Sequence, residues 1–196
     1  MRDQKQTMKK DRQTSLIVGI LILVAYSILG TNNPDAKALG MFLEVISGHA
    51  VIGIAVLMFP LLRPYGQNLA LFYLVLKSVE GVLMMVAGVL FFIHSPLLLE
   101  LRETIYLFHG YIFAIPALIF YYLLYRSKLI PGWLSVWGIV ASVLLILVNI
   151  LELTGMIPQL EVLYLPIVIN EVVLAIWLIV AGFNSPTNNL GSRKVR

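Results

Sequence analysis

Apolar residues occur along this chain in six long runs, and polar residues gather between the runs. The runs cover residues 15–30, 41–62, 69–93, 104–125, 133–153 and 161–183. All but the first are at least as long as the roughly 20 residues that a helix needs to cross the hydrocarbon core of a bilayer. Short segments rich in proline, glycine and asparagine separate them, as expected of turns. The pattern predicts an all-α, polytopic transmembrane helix bundle with six spans.

The composition agrees with this prediction. Of the 196 residues, 60% are hydrophobic and 12% are charged, and the mean hydropathy is +0.92. A soluble domain usually has about 25% charged residues, so the chain does not fit that class. The charge pattern divides the chain into a basic tail at 1–14, a membrane domain at 15–184 and a second basic tail at 185–196.

Lysine and arginine predict the orientation, because basic residues concentrate on the cytoplasmic side of a membrane. Lys37 and Arg102 are the basic residues of the first, third and fifth turns, and Lys77 lies within a span. The other 11 are in the tails and the remaining turns: Arg2, Lys5, Lys9, Lys10, Arg12, Arg63, Arg126, Lys128, Arg193, Lys194 and Arg196. We therefore expect a protein of the cytoplasmic (inner) membrane with both termini inside. Basic residues in these positions direct topology, and no nucleic-acid partner is expected.

The first run is short and follows a basic segment, a combination that also describes a signal peptide. Cleavage there would leave five spans and an external N-terminus. No convincing small-residue cleavage motif follows the run, so the six-span arrangement is the preferred interpretation.

Several polar side chains lie inside the predicted spans, where a charge costs roughly 2.5–3.5 kcal/mol on insertion scales. Apart from Lys77, we place them between roughly 5 and 20 Å from the outer face, at 1.5 Å per residue. This asymmetry predicts a polar pocket that opens to the external side and receives a small molecule, cation or proton. The candidate residues are Glu44, His49, Lys77, Glu80, His109, Asn170 and Glu171.

Three of these residues allow more than one interpretation. Lys77 and Glu80 are three positions apart on one helix face, so they either form an ion pair that sets helix register or leave Glu80 as a proton carrier. Glu171 has no basic neighbour on its own helix. It is therefore expected to be protonated or to bind a residue on another helix.

A divalent metal site is a second use of the same residues. His49, His109 and Glu171 lie on three different spans and are ligand types that zinc or iron accepts. However, no His-Glu-x-x-His or Glu-x-x-His spacing supports this hypothesis, and a plain polar network is the preferred interpretation. The chain contains no cysteine, so thiolate ligands and disulfides are excluded.

Three segments carry a resemblance to a known family. They are LKSVEG at 76–81, the stretch from HG at 109–110 to YLLYRSKLIPGWL at 122–134, and the stretch from NE at 170–171 through AIWL at 175–178 to GFN at 182–184. Together they resemble the domain of unknown function 4386 family of bacterial and archaeal multi-pass membrane proteins, over residues 15–184. The resemblance implies a six-span inner-membrane protein and draws attention to Lys77, Glu80, His109 and Glu171, but it names no substrate.

The sequence leaves three functions open. The leading hypothesis is an uncharacterised membrane protein whose Glu/His pocket handles a small ligand, an ion or a proton. A hydrolase-like, metal-dependent enzyme of the membrane is the second, with a glutamate as general base toward metal-bound water. A structural or regulatory membrane subunit is the third, with polar groups that serve helix pairing alone. Because six short spans are few for a transporter, a homo-oligomer is also expected.

Overall fold

The computed structural model of the chain describes residues 2–27, 34–93, 95–158 and 160–184, and the regular structure in these ranges is helical throughout. Six α-helices follow one another: α1 (Arg2–Ala25), α2 (Lys37–Leu62), α3 (Gln67–Ile93), α4 (Pro96–Ser127), α5 (Gly132–Leu153) and α6 (Leu165–Val180). Short 3-10 turns lie at Pro34–Ala36, Arg63–Tyr65 and Glu161–Tyr164. The predicted all-α class is confirmed.

Five of the described helices, α2 to α6, are long and apolar enough to cross a membrane, so the protein is a multi-pass membrane protein. Helix α1 does not meet the same criteria because its first half is the charged tail, which is helical from Arg2. Residues 185–196 of the C-terminal tail, 28–30 at the end of the first predicted span and 31–33 of the first predicted turn lie outside the described residues.

Among the helix starts that differ from those expected are the starts of α4 and α6. Helix α4 begins at Pro96 rather than at 104, because the Ser95 hydroxyl caps it by accepting from the Leu98 amide at 3.4 Å and proline suits the first helical position. Helix α6 begins at Leu165 rather than at 161, after the 3-10 turn. The longer α4 carries polar residues of the predicted turn, including Arg102, into the bundle.

The six helices form a ring in which each packs against its neighbours in sequence and α6 closes against α1. Arg12 fastens this closure, since its guanidinium donates to the carbonyls of Leu178 at 3.2 Å, Ile179 at 2.7 Å and Val180 at 3.2 Å. These carbonyls at the end of α6 have no partner within the helix. Arg12, which the sequence assigns to membrane topology, therefore also caps the C-terminal end of α6.

Small residues determine how closely α2 and α3 approach. Gly48 of α2 and Gly81 of α3 face each other, and a Cβ on either would collide with the carbonyl oxygen of the other. Small residues at such positions let the backbones of two membrane helices come close together.

The contact predicts that Gly48→Ala destabilises the protein, because the added methyl group meets rigid backbone rather than a flexible side chain. We expect a loss of about 1–3 kcal/mol, the usual cost of overpacking. Thermal unfolding of the purified protein in detergent measures it. Gly132→Ala is the matched control, since a Cβ at Gly132 meets nothing within 4 Å. Equal melting temperatures for the two variants would contradict the prediction.

Candidate functional site

A cavity of about 290 Å³ lies inside the ring of helices. Every helix except α5 contributes to its lining, together with Tyr164 in the turn before α6. Most of the lining is aliphatic or aromatic. The polar or ionisable side chains that reach it include Tyr26, Lys77, Glu80, His109, Tyr164 and Glu171. The cavity lies toward the end of the bundle at which α1 ends and α6 begins, away from Arg12.

One wall of the cavity carries an ion pair. Lys77 Nζ lies 3.0 Å from Glu80 Oε1, one helical turn away on the same face of α3. The ammonium also stands 4.4 Å from the centre of the Phe113 ring, a distance suited to a cation–π contact. This pair is the one that the spacing of the two residues predicts, and it neutralises both charges inside the bundle.

His109 joins this pair from α4. Its Nε2 lies 3.8 Å from Glu80 Oε1, beyond hydrogen-bond distance, and has no hydrogen-bond partner among the described residues. Glu80 Oε2 is likewise buried without a partner there. Because buried polar atoms are nearly always satisfied, these two atoms are suited to a water molecule or a bound ligand.

Glu171 of α6 is the second carboxyl group of the cavity. The Tyr26 hydroxyl, just past the end of α1, donates to Glu171 Oε2 at 2.8 Å. No lysine, arginine or histidine among the described residues forms a salt bridge with it. The sequence left open whether Glu171 is protonated or binds a residue from another part of the bundle. The structure gives it such a partner, Tyr26, which carries no charge.

Helix α5 does not reach the cavity but supports its outer wall. The Tyr164 hydroxyl lies 2.9 Å from Glu152 Oε2 and 3.2 Å from Asn149 Oδ1, and both oxygens accept from it. Asn149 Nδ2 in turn donates to the carbonyl of Gly110 at 3.2 Å. These contacts hold the turn before α6 against α4 and α5, and they position Tyr164 at the cavity.

Three candidates from the sequence lie elsewhere. Asn170 is buried but faces α5, where its Nδ2 donates to the Leu134 carbonyl at 3.2 Å. His49 is exposed on the outer surface of the ring, with Nδ1 2.7 Å from the Val45 carbonyl. Glu44 is buried away from the cavity. The structure thus brings Lys77, Glu80, His109 and Glu171 to one cavity and leaves these three outside it.

The predicted metal ligands are not assembled, because His49 points away from the cavity that His109 and Glu171 share. Across the described ranges, no group of three or more histidine, aspartate or glutamate side chains is placed to hold a metal ion. Within the described part of the chain, His49, His109 and Glu171 are therefore not brought to one place.

Arg102 is a polar residue whose position the sequence pattern did not reveal. It was expected in an external turn, but it lies in α4 with 5% of its surface exposed. Its Nη2 lies 2.7 Å from Glu44 Oε1, and its Cζ stands 4.6 Å from the ring centres of Phe91 and Tyr106. The sequence contained one signal for this pair: Glu44 and Arg102 lie near the ends of two different spans, and each charge needs a partner of opposite sign.

The fold and the apolar helices thus define an integral membrane protein built around an internal cavity. Residues 24–182 match the family model described as Domain of unknown function (DUF4386), which covers most of the chain, and the protein belongs to that family. Comparisons with curated proteins and with solved structures give no match.

The Glu44–Arg102 pair predicts strong, non-additive effects on stability. Arg102→Met leaves a carboxylate buried without its cation, which costs about 3–5 kcal/mol of stability. The double variant Glu44→Gln with Arg102→Met removes both charges, so we expect it to be more stable than Arg102→Met alone. Thermal unfolding of the single and double variants measures this coupling.

Glu103→Gln is the matched control for this experiment. Glu103 also contacts Arg102, at 3.4 Å, but 74% of its side chain is exposed, so its removal should cost less than about 1 kcal/mol. Strictly additive losses in the double variant would show that the buried pair is not coupled.

Proposed function

We propose that this protein crosses the cytoplasmic membrane six times, with both termini inside, and handles a small ligand, an ion or a proton in the central cavity. Glu80 and Glu171 carry protons or bind cations, and His109 relays between them and the ligand. The observation that carries the proposal is the meeting of Glu80, His109 and Glu171, from three different helices, at one cavity inside the membrane domain.

The cost of polar groups in a bilayer supports this role. Ionisable side chains within membrane spans are rare, and they typically mark ion pathways, proton relays or ligand sites. Here Glu80 Oε2 and His109 Nε2 have no hydrogen-bond partner in the described part of the chain, and Glu171 has only an uncharged donor.

The proposed orientation follows from the basic residues and from the ends of the helices. Arg12 meets the C-terminal end of α6, and Asn184 donates to the carbonyls of Leu129 and Lys128, at 2.8 Å from its amide and 3.0 Å from Nδ2. The start of α1, the end of α6 and the turn between α4 and α5 therefore share one end of the bundle. If that end is cytoplasmic, the cavity lies in the external half.

The absence of cysteine makes the topology directly testable, because single cysteines can be introduced without interference. We expect a membrane-impermeant maleimide to label Met156→Cys in intact cells. Asp11→Cys and Arg126→Cys should react only after lysis. Labelling of both Asp11→Cys and Met156→Cys in intact cells would contradict the six-span arrangement, and labelling of Asp11→Cys and Arg126→Cys without Met156→Cys would contradict the orientation.

Glu171→Gln tests the function itself. The amide occupies nearly the same volume but cannot carry a proton, so we expect it to abolish proton or ion flux in proteoliposomes under an imposed pH gradient. Glu103→Gln removes an exposed carboxylate outside the cavity and should leave the flux unchanged.

A structural role for Glu171 would give a different result. Glu171→Gln would then lower the melting temperature of the protein, and the wild-type protein would show no flux above that of empty liposomes. That outcome would overturn the proposed function in favour of a structural subunit.

A further inference from the structure

We propose that the central cavity binds a small organic cation, namely an amine or quaternary ammonium group on an apolar body, with the positive charge beside Glu171. This inference rests on the proposed function, because it names the class of ligand that the same cavity receives. It is carried by the charge balance of the cavity, by the character of its walls and by its size.

The charge balance leaves one carboxyl group without a cation. Lys77 and Glu80 neutralise each other at 3.0 Å, and the Lys77 ammonium is also occupied by the face of Phe113. Glu171 accepts a hydrogen bond from the neutral hydroxyl of Tyr26, and no described cationic side chain pairs with it. A carboxylate inside a membrane domain is stable only when it is paired or protonated, so a positively charged ligand complements this site.

The walls of the cavity favour an organic cation over a metal ion. A divalent metal needs several oxygen or nitrogen ligands, and in the described residues no three acidic or histidine side chains are placed to hold one metal ion together. The remaining lining is largely apolar, including Val51, Ile54 and Met84. Such a surface cannot replace the hydration shell of an inorganic ion, but it suits the apolar body of an organic one.

Aromatic rings add to this preference. Tyr73 and Phe120 line the cavity and stack on each other, with ring centres 5.1 Å apart. Aromatic pairs attract each other beyond the contribution of the area that they bury, so these two rings favour an aromatic body on the ligand. A ligand with its charge at Glu171 and its body against these rings uses both features.

The volume limits the size of the ligand. About 290 Å³ is near the lower end of the roughly 300–1,000 Å³ typical of small-molecule pockets. We therefore expect a compact ligand such as a single-ring amine.

Three probes of one shape but different charge test the inference. Benzylamine is a cation at neutral pH, benzyl alcohol is its neutral analogue, and phenylacetate is an anion. We expect isothermal titration of the full-length wild-type protein in lipid nanodiscs to show at least tenfold tighter binding of benzylamine than of benzyl alcohol. Phenylacetate should not bind. This comparison depends on no variant and therefore on no assumption about folding.

Two variants locate the charge that is responsible. Glu171→Gln should weaken benzylamine binding at least tenfold and leave benzyl alcohol binding within about twofold of wild type. Glu103→Gln, with an equal change of charge outside the cavity, should alter neither. Equal affinities of the wild type for benzylamine and benzyl alcohol would overturn the inference, and so would unchanged benzylamine binding by folded Glu171→Gln.

The two proposals fail in distinguishable ways. If Glu171→Gln abolishes proton or ion flux but the wild type does not prefer benzylamine, the proposed function stands and the organic cation is wrong. If benzylamine binds through Glu171 but the wild type shows no flux, the ligand class stands and the transport role is wrong.

Discussion

The structure depends on one constraint, which is that a charged or polar side chain inside a membrane domain must find a partner on the protein. Three solutions to this constraint occur in the ring of helices. Lys77 and Glu80 form an ion pair within α3, and Arg102 of α4 forms one with Glu44 of α2. Glu171 of α6 instead accepts a hydrogen bond from the neutral hydroxyl of Tyr26, just past the end of α1. The first two neutralise their charges, and the third does not. The chemistry of the cavity follows from that difference.

The same constraint separates scaffold from site. The Glu44–Arg102 pair is sealed, with both side chains buried and aromatic rings of Phe91 and Tyr106 on the guanidinium, so it holds α2 against α4. Buried atoms without a hydrogen-bond partner among the described residues occur at both places, namely Glu44 Oε2 at the pair and Glu80 Oε2 and His109 Nε2 at the cavity. The difference is the space beside them: Glu80 and His109 line a cavity that a water molecule or a ligand can enter, whereas Glu44 does not line it.

Helix α5 illustrates how residues outside the cavity shape it. Its Asn149 and Glu152 hold the hydroxyl of Tyr164, and Tyr164 belongs to the 3-10 turn that ends just before α6. The position of α6, and with it that of Glu171, therefore depends on polar contacts near one end of the bundle. At the other end Arg12 caps α6, so both ends of the helix that carries Glu171 are anchored by long-range hydrogen bonds.

The helical class, the membrane environment and most of the helix boundaries could be predicted from the amino-acid sequence, because a bilayer imposes a length and an apolarity that are visible in any single run. The Lys77–Glu80 pair was one of two interpretations that the sequence allowed, since both residues are on one helix and their spacing is local. That Glu171 and His109 share a cavity while His49 faces outward, and that Arg102 is buried against Glu44, became visible only in the folded bundle. Those facts depend on the rotation of each helix about its axis and on which helices become neighbours in the ring. Contacts between distant segments determine both, and the hydrophobic pattern of an almost uniformly apolar helix does not record them.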